Sequence, residues 1–176
     1  MAPIDMTPGE LAEALQPLHR ESFGWALSCC RWDETLAEDV LQTAYVRVIS
    51  GEARYDGRSS FRTWLFGVVR RVSQEEWRRR ARRRAGQVEL AADPPDALEE
   101  SPLERAARSE RSRRLVQAMN ALAERQREVL HLVFYEGLTV AEAAEVMGVS
   151  VGSARTHYHR AKKRMRVLLE GEALDG

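Results

Sequence analysis

Long apolar runs are missing from this chain. No stretch approaches the roughly 20 apolar residues that a membrane span needs. A secretory leader is missing as well. Asp5 and Glu10 stand where a leader would carry basic charge, and no apolar segment follows. The expected location is therefore the cytoplasm. Cysteine is scarce: Cys29 and Cys30 are the only two, and they are adjacent. Neighbours in a helix point about 100° apart, which rules out an ordinary mutual disulfide. No spacing of metal ligands occurs, so the two thiols are expected to be inert and partly buried. Six prolines and no alternating β-branched run leave little that points to strands.

What is abundant favours helix. Arg, Ala, Leu and Glu dominate, and a hydrophobic content of 44% is enough for a packed core. Formal net charge is zero, but the charge is laid out in blocks. Residues 1–50 hold 3 basic and 8 acidic side chains, and residues 51–90 hold 11 and 5. Residues 91–110 hold 2 and 6, and residues 148–176 hold 6 and 3. Two basic segments separated by acidic ones fit two footprints on a polyanion.

Helix signals recur along the chain. Thr7-Pro8-Gly9-Glu10 reads as a capping box with proline at the first helical position. Pro17 is expected to kink or restart that helix. Leu18, Ser22, Trp25, Ala26 and Cys29 then mark one face. Thr35 with Glu38 reads as the cap of a helix whose apolar stripe is Leu36, Val40, Leu41, Ala44, Tyr45, Val48 and Ile49. Gly51 ends it, and 51–60 reads as a loop. Another helix starts near Ser60, with Phe61, Trp64, Leu65, Val68, Val69 and Val72 at helical spacing. It ends in the arginine run 78–84 and Gly86. Residues 86–100, with Pro94-Pro95 and several acids, carry no periodicity and read as a linker. Ser101 to Glu104 is a further capping box. Helices are expected at about 102–121 and 124–136, then a short one opened by Thr139–Glu142, and a last one from Ser150 to about Leu169.

The expected fold is all-α: two small helical domains joined by a linker, the C-terminal one a helix-turn-helix. The boundaries are 1–86, a linker over 87–104, and 105–176.

The C-terminal pattern is the more explicit. A short helix with the small Ala144, a turn at Gly148 and a longer basic helix form a helix-turn-helix. In the last helix Ala154, Tyr158, Ala161, Met165 and Leu168 share one side. Arg155, Thr156, His159, Arg160 and Lys163 share another, with Ser153 at the start. Such a stripe suits a major groove, where arginine pairs bidentately with guanine. In the N-terminal half, Asp39, Gln42 and Arg47 lie off the apolar stripe. Arg62, Arg70 and Arg71 are expected outside their helix, beside aromatic residues, an arrangement that suits a DNA backbone and unstacked bases, although the aromatics taken alone read more readily as core.

These segments carry a family resemblance. AEDVLQTAYVRV, FRTWLFGVVRR and LAERQREVLHLVFYEGLTVAEAAEVMGVSVGSARTHYHRAKKRMRVLL resemble the extracytoplasmic-function sigma factors of the sigma-70 family, over about residues 18–84 and 111–169. The resemblance implies a promoter-specificity subunit of bacterial RNA polymerase that directs transcription initiation. A region-two domain would bind the polymerase clamp helices and open the −10 element. A region-four domain would bind the −35 element and the polymerase flap. By the same resemblance Asp39, Gln42 and Arg47 face polymerase, and Arg155, Thr156, His159 and Arg160 read the −35 element. The loop from Arg54 to Ser60 would hold a flipped base, and Tyr55, Arg58, Ser59, Arg62, Arg70, Arg71 and Gln74 would serve the −10 element. Arg71, Glu75 and His157 depart from residues common in the family. An anti-sigma factor is an implied partner. Only a few residues follow Leu169, so regulation is expected to come from another protein. No metal, cofactor or small-molecule substrate is expected.

Two other classes remain as rivals. A stand-alone helix-turn-helix regulator explains the C-terminal half, but not the Asp39/Gln42 face or the basic helix 61–84. An enzyme such as a recombinase needs a nucleophile with clustered basic partners. Only Ser59 and Ser60, beside Arg58 and Arg62, offer that arrangement, and the expectation is no enzymatic activity.

Overall fold

The computed structural model describes residues 6–86 and 110–171. They fall into two compact units, and no strand occurs among them. The first unit runs α1 (Pro8–Leu15), a 3-10 turn (Gln16–Leu18), α2 (His19–Cys29), α3 (Glu34–Ile49) and α4 (Phe61–Gly86). Further along come α5 (Glu110–Asn120), α6 (Glu124–Leu130) with a π-turn at His131–Tyr135, α7 (Val140–Met147) and α8 (Val151–Gly171). The expected linker 87–104 and the capping box at Ser101 lie outside the described residues.

Local chemistry sets most boundaries. Thr7 Oγ1 accepts from the Glu10 N–H at 3.3 Å while Glu10 accepts from the Thr7 N–H at 2.7 Å, a complete capping box. Pro17 lacks the N–H that would continue α1, so the chain passes through the 3-10 turn and restarts as α2. The cap of α3 differs from expectation. Asp33 Oδ1 accepts from the Leu36 N–H at 2.9 Å and the helix begins at Glu34, leaving Thr35 inside the first turn. An ionised carboxylate next to the helix's positive end outcompetes a hydroxyl one residue into it.

The core of the first unit lies where α2, α3 and α4 meet. Leu36, Val40, Leu41, Ala44 and Val48 of α3 are buried, as are Leu65, Val68, Val69 and Val72 of α4. Ile49, expected in that stripe, is exposed: it is the last residue of α3 and lies off the side on which Val48 is buried. The buried arc of α4 is wider than its sequence stripe. Phe66 is fully buried, and Arg70 and Ser73 follow it inward at helical spacing. Arg70 was expected outside with Arg62 and Arg71. Instead it is buried, and its Nη1 donates to Gln74 Oε1 at 3.5 Å. Arg62 is half-buried, its Nε donating to Glu21 Oε2 at 2.6 Å and its guanidinium lying over the Phe66 ring. Only Arg71 of the three is exposed.

The second core gathers Ala118, Met119 and Leu122 with Leu130 of α6 and Ala161 and Met165 of α8. Leu115, Tyr158 and Leu168 close its rim. The expected apolar side of α8 is thereby the packed side. Gly137 and Gly148 turn the chain at φ values of 66° and 64°, where a side chain would be strained.

Candidate nucleic-acid and polymerase interfaces

The recognition candidate is built from its caps upward. Thr139 and Glu142 form the capping box of α7: the Glu142 N–H donates to Thr139 Oγ1 at 3.2 Å, and the Thr139 N–H donates to Glu142 Oε2 at 2.8 Å. Ala143, Ala144, Val146 and Met147 of this short helix are buried. The Val149 N–H reaches back to the Ala144 carbonyl at 3.0 Å, closing the turn at Gly148. Ser150 Oγ then accepts from the Ser153 N–H at 3.1 Å and starts α8.

With Ala154 and Ala161 fully buried, α8 cannot rotate without exposing its packed side. That fixes Arg155, Thr156, His159, Arg160 and Lys163 outward, and all five are exposed. The Thr156 hydroxyl donates to the Gly152 carbonyl at 3.0 Å. Ser153 is exposed but its hydroxyl meets Ser150 Oγ at 2.9 Å, so it is partly engaged in the cap. The opposite flank carries Lys162, whose ammonium sits 4.6 Å from the Tyr158 ring centre.

The loop 51–60 is held in one shape by its own side chains. Tyr55, Phe61 and Trp64 form a half-buried aromatic trio with ring centres 5.3–5.4 Å apart. The Tyr55 hydroxyl donates to the Ser59 carbonyl at 2.5 Å. Asp56 Oδ1 accepts from the Arg58 N–H at 3.2 Å across Gly57, whose φ is +70°. Ser60 Oγ accepts from the Thr63 N–H at 3.1 Å and caps α4. Arg58 is left at the surface, 3.3 Å from Asp56 and otherwise in solvent.

On α3, Asp39 and Gln42 are exposed on one side, and Val46 continues their line at 59% exposure. The sequence pattern missed Val46 because one apolar residue on a polar face carries no periodicity. Arg47 behaves differently from its two companions. Its Nη2 donates to Glu75 Oε2 at 2.7 Å and its Nε lies 3.3 Å from Glu52 Oε1. The bond from Arg47, aided by the charges of Arg78 and Arg71, holds the Glu75 carboxyl below its usual range, and the Arg47 guanidinium is raised in turn. A groove of about 520 Å³ runs between α3 and the end of α4, with Asp39 and Gln42 on one wall and Arg78 and Arg82 on the other.

Among the described residues no cluster of three metal-ligating side chains occurs, and no helix is long and apolar enough to cross a membrane. The Cys30 thiol is fully buried, and desolvation pushes its pKa up to about 12, while Cys29 is half-buried.

Residues 16–83 match the sigma-70 region 2 family, and residues 112–165 match the sigma-70 region 4 family. The chain is 30% identical over 143 residues to the ECF RNA polymerase sigma factor SigX of Bacillus subtilis, covering 78% of this chain and 73% of that protein. It is 32% identical over 133 residues to the ECF RNA polymerase sigma factor SigF of Caulobacter vibrioides, covering 73% and 68%. The fold is similar to a solved sigma factor RpoE of Bartonella quintana in complex with the anti-sigma factor NepR, at TM-score 0.70 and 22% identity over 90% of this chain and 96% of that one. It is also similar to CnrH in complex with the cytosolic domain of CnrY, at TM-score 0.59 and 25% identity over 89% and 86%. The chain belongs to the sigma-70 family, in its extracytoplasmic-function group. It is thus a promoter-specificity subunit of RNA polymerase, and the match over residues 16–83 removes the stand-alone regulator as an alternative.

Proposed function

We propose that promoter recognition is divided between α8, which reads the −35 element, and the loop 51–60 with the adjoining face of α4, which holds unpaired DNA of the −10 element. The observation that carries this reading is the outward stripe Arg155, Thr156, His159, Arg160 and Lys163 on a helix locked by its buried side. Arginine forks pair with guanine edges, while Lys163, a point charge, suits a phosphate. In the first unit Tyr55, Arg58 and Ser59 of the loop, and Arg62, Arg71 and Gln74 along α4, are assigned to the unpaired DNA, with base capture at the loop. Capturing one base costs a few kcal/mol of unstacking, which an aromatic and polar pocket offsets. Arg70 is assigned no phosphate contact, since its guanidinium is buried. Asp39, Gln42 and Val46 form the surface offered to the polymerase clamp helices, and the second unit meets the flap.

The domain limits 1–86 and 105–176, with a connector between them, follow from the same reading. So does a cytoplasmic protein that binds and opens DNA without covalent chemistry. An anti-sigma factor is the expected regulatory partner, by analogy with the complex reported for the Bartonella protein. The test is footprinting of core polymerase with and without this chain on promoter fragments recovered by selection. Protection of two blocks, near −35 and −10, only when both proteins are present supports the division. Protection of a single block by the chain alone contradicts it.

A further inference from the structure

Arg47 stands at the junction of three elements. It sits in the last turn of α3, its Nη2 bonded to Glu75 of α4 at 2.7 Å and its Nε 3.3 Å from Glu52 at the entrance of the loop. Its backbone carbonyl also accepts from the Ala53 N–H at 2.8 Å and from the Ser50 hydroxyl at 3.4 Å. The side chain is only 26% exposed, unlike those of Asp39 and Gln42. A planar guanidinium can engage two carboxylates in fixed directions at once, which a lysine cannot reproduce.

The loop is anchored at both ends. Its far end is fixed by Tyr55, edge-on to Phe61 and tilted against Trp64, and by Ser60 capping α4. Its near end leaves α3 through Gly51, at a φ of +77°, with Arg47 as the polar tether from both side chain and carbonyl. Without the Glu52 pair the near end is held only by the backbone bond from Ala53 to the Arg47 carbonyl and can shift about Gly51, while the far end keeps its aromatic contacts. The base pocket would then lose its shape although the fold persists.

We propose that Arg47 is a positioning residue for the −10 loop, tying the loop entrance to α4 through Glu52 and Glu75, and that it makes no contact with polymerase. This rests on the reading of loop 51–60 as the base-holding segment. Glu75 is on this view a fixed counter-charge for Arg47, flanked by Arg71 and Arg78, and does not read a base itself.

The experiment uses holoenzyme assembled from core polymerase and full-length chain, either wild type, Arg47→Ala or Glu52→Ala. Two quantities are measured: affinity for core polymerase, and affinity for single-stranded non-template oligonucleotides spanning the −10 element with an abasic site at each position in turn. Wild type should lose about tenfold in affinity when the captured base is removed. Both variants should reduce that discrimination to about twofold while binding core polymerase within about twofold of wild type. Glu52→Ala leaves the Arg47–Glu75 pair in place, so it decides the matter if Arg47→Ala lowers overall stability. Retained discrimination in Glu52→Ala overturns the proposal, as does a fall in core affinity of Arg47→Ala with discrimination intact. No discrimination by wild type at any position overturns the loop reading itself, and the proposal with it.

Discussion

The indole Nε1 of Trp25 donates to the backbone carbonyl of Phe66 at 3.0 Å, joining α2 to α4 in the centre of the first unit. Both residues are fully buried, and their rings stack with centres 6.2 Å apart. Trp25→Ala should destabilise this unit by about 3–5 kcal/mol through the cavity it leaves. Trp25→Phe keeps most of the packing and should cost less, the lost hydrogen bond contributing about 1 kcal/mol. Urea titration followed by circular dichroism checks both values, and equal losses in the two variants would contradict this role for the ring.

The exposed side of α3 yields a binding prediction. Asp39 bears no load in the core, so Asp39→Arg should leave helicity and unfolding midpoint unchanged. It should weaken core polymerase binding by about tenfold or more, as expected when an interface charge is reversed. Surface-immobilised core polymerase titrated with folded variant gives the answer. Unchanged affinity would move the polymerase contact elsewhere.

The two cysteines should differ in reactivity. Cys30 is buried with its pKa raised to about 12, whereas Cys29 is half-buried. At pH 8 a disulfide exchange reagent should titrate at most one thiol quickly in native protein and two after denaturation. The stability linkage has a definite sign. A thiol held neutral in the folded state contributes its full share below its unfolded pKa near 9, and that share falls as pH rises from about 9 toward 12. Cys30→Ala should flatten this alkaline loss, and an unchanged slope would assign it to other groups.

Base reading by α8 is separable from phosphate binding. Arg155→Ala or Arg160→Ala should cost roughly 1–3 kcal/mol of discrimination at the −35 element. Lys163→Ala should weaken all sequences about equally and make the salt dependence shallower. Binding-site selection at two salt concentrations distinguishes the three variants. If both arginines behave like Lys163, α8 only anchors to the backbone.

How much of this could be read from residues alone follows from the kind of physics involved. The α8 stripe was legible, because Ala154, Tyr158, Ala161 and Met165 at helical spacing define the packed side and leave the basic side by elimination. The boxes at Thr7–Glu10 and Thr139–Glu142 were legible for a similar reason: each is a contact within four residues. Asp33 as the α3 cap was missed because Thr35 and Glu38 offered the same local pattern two residues on. Arg70 was misplaced, and Phe66 left out of the stripe, because the arc that α4 buries depends on two partner helices, which spacing within α4 does not encode. The Arg47–Glu75 bond spans 28 residues, so no local pattern announces it.

Run-off transcription tests the central claim most directly. Core polymerase is supplied with this chain on a library of genomic fragments, and transcript starts are mapped. The account predicts discrete starts that require the chain, each preceded by shared −10 and −35 sequences, with the −35 preference altered by Arg155→Ala. Failure of the chain to direct any start, or starts whose upstream sequences share no element that the α8 variant changes, would contradict it.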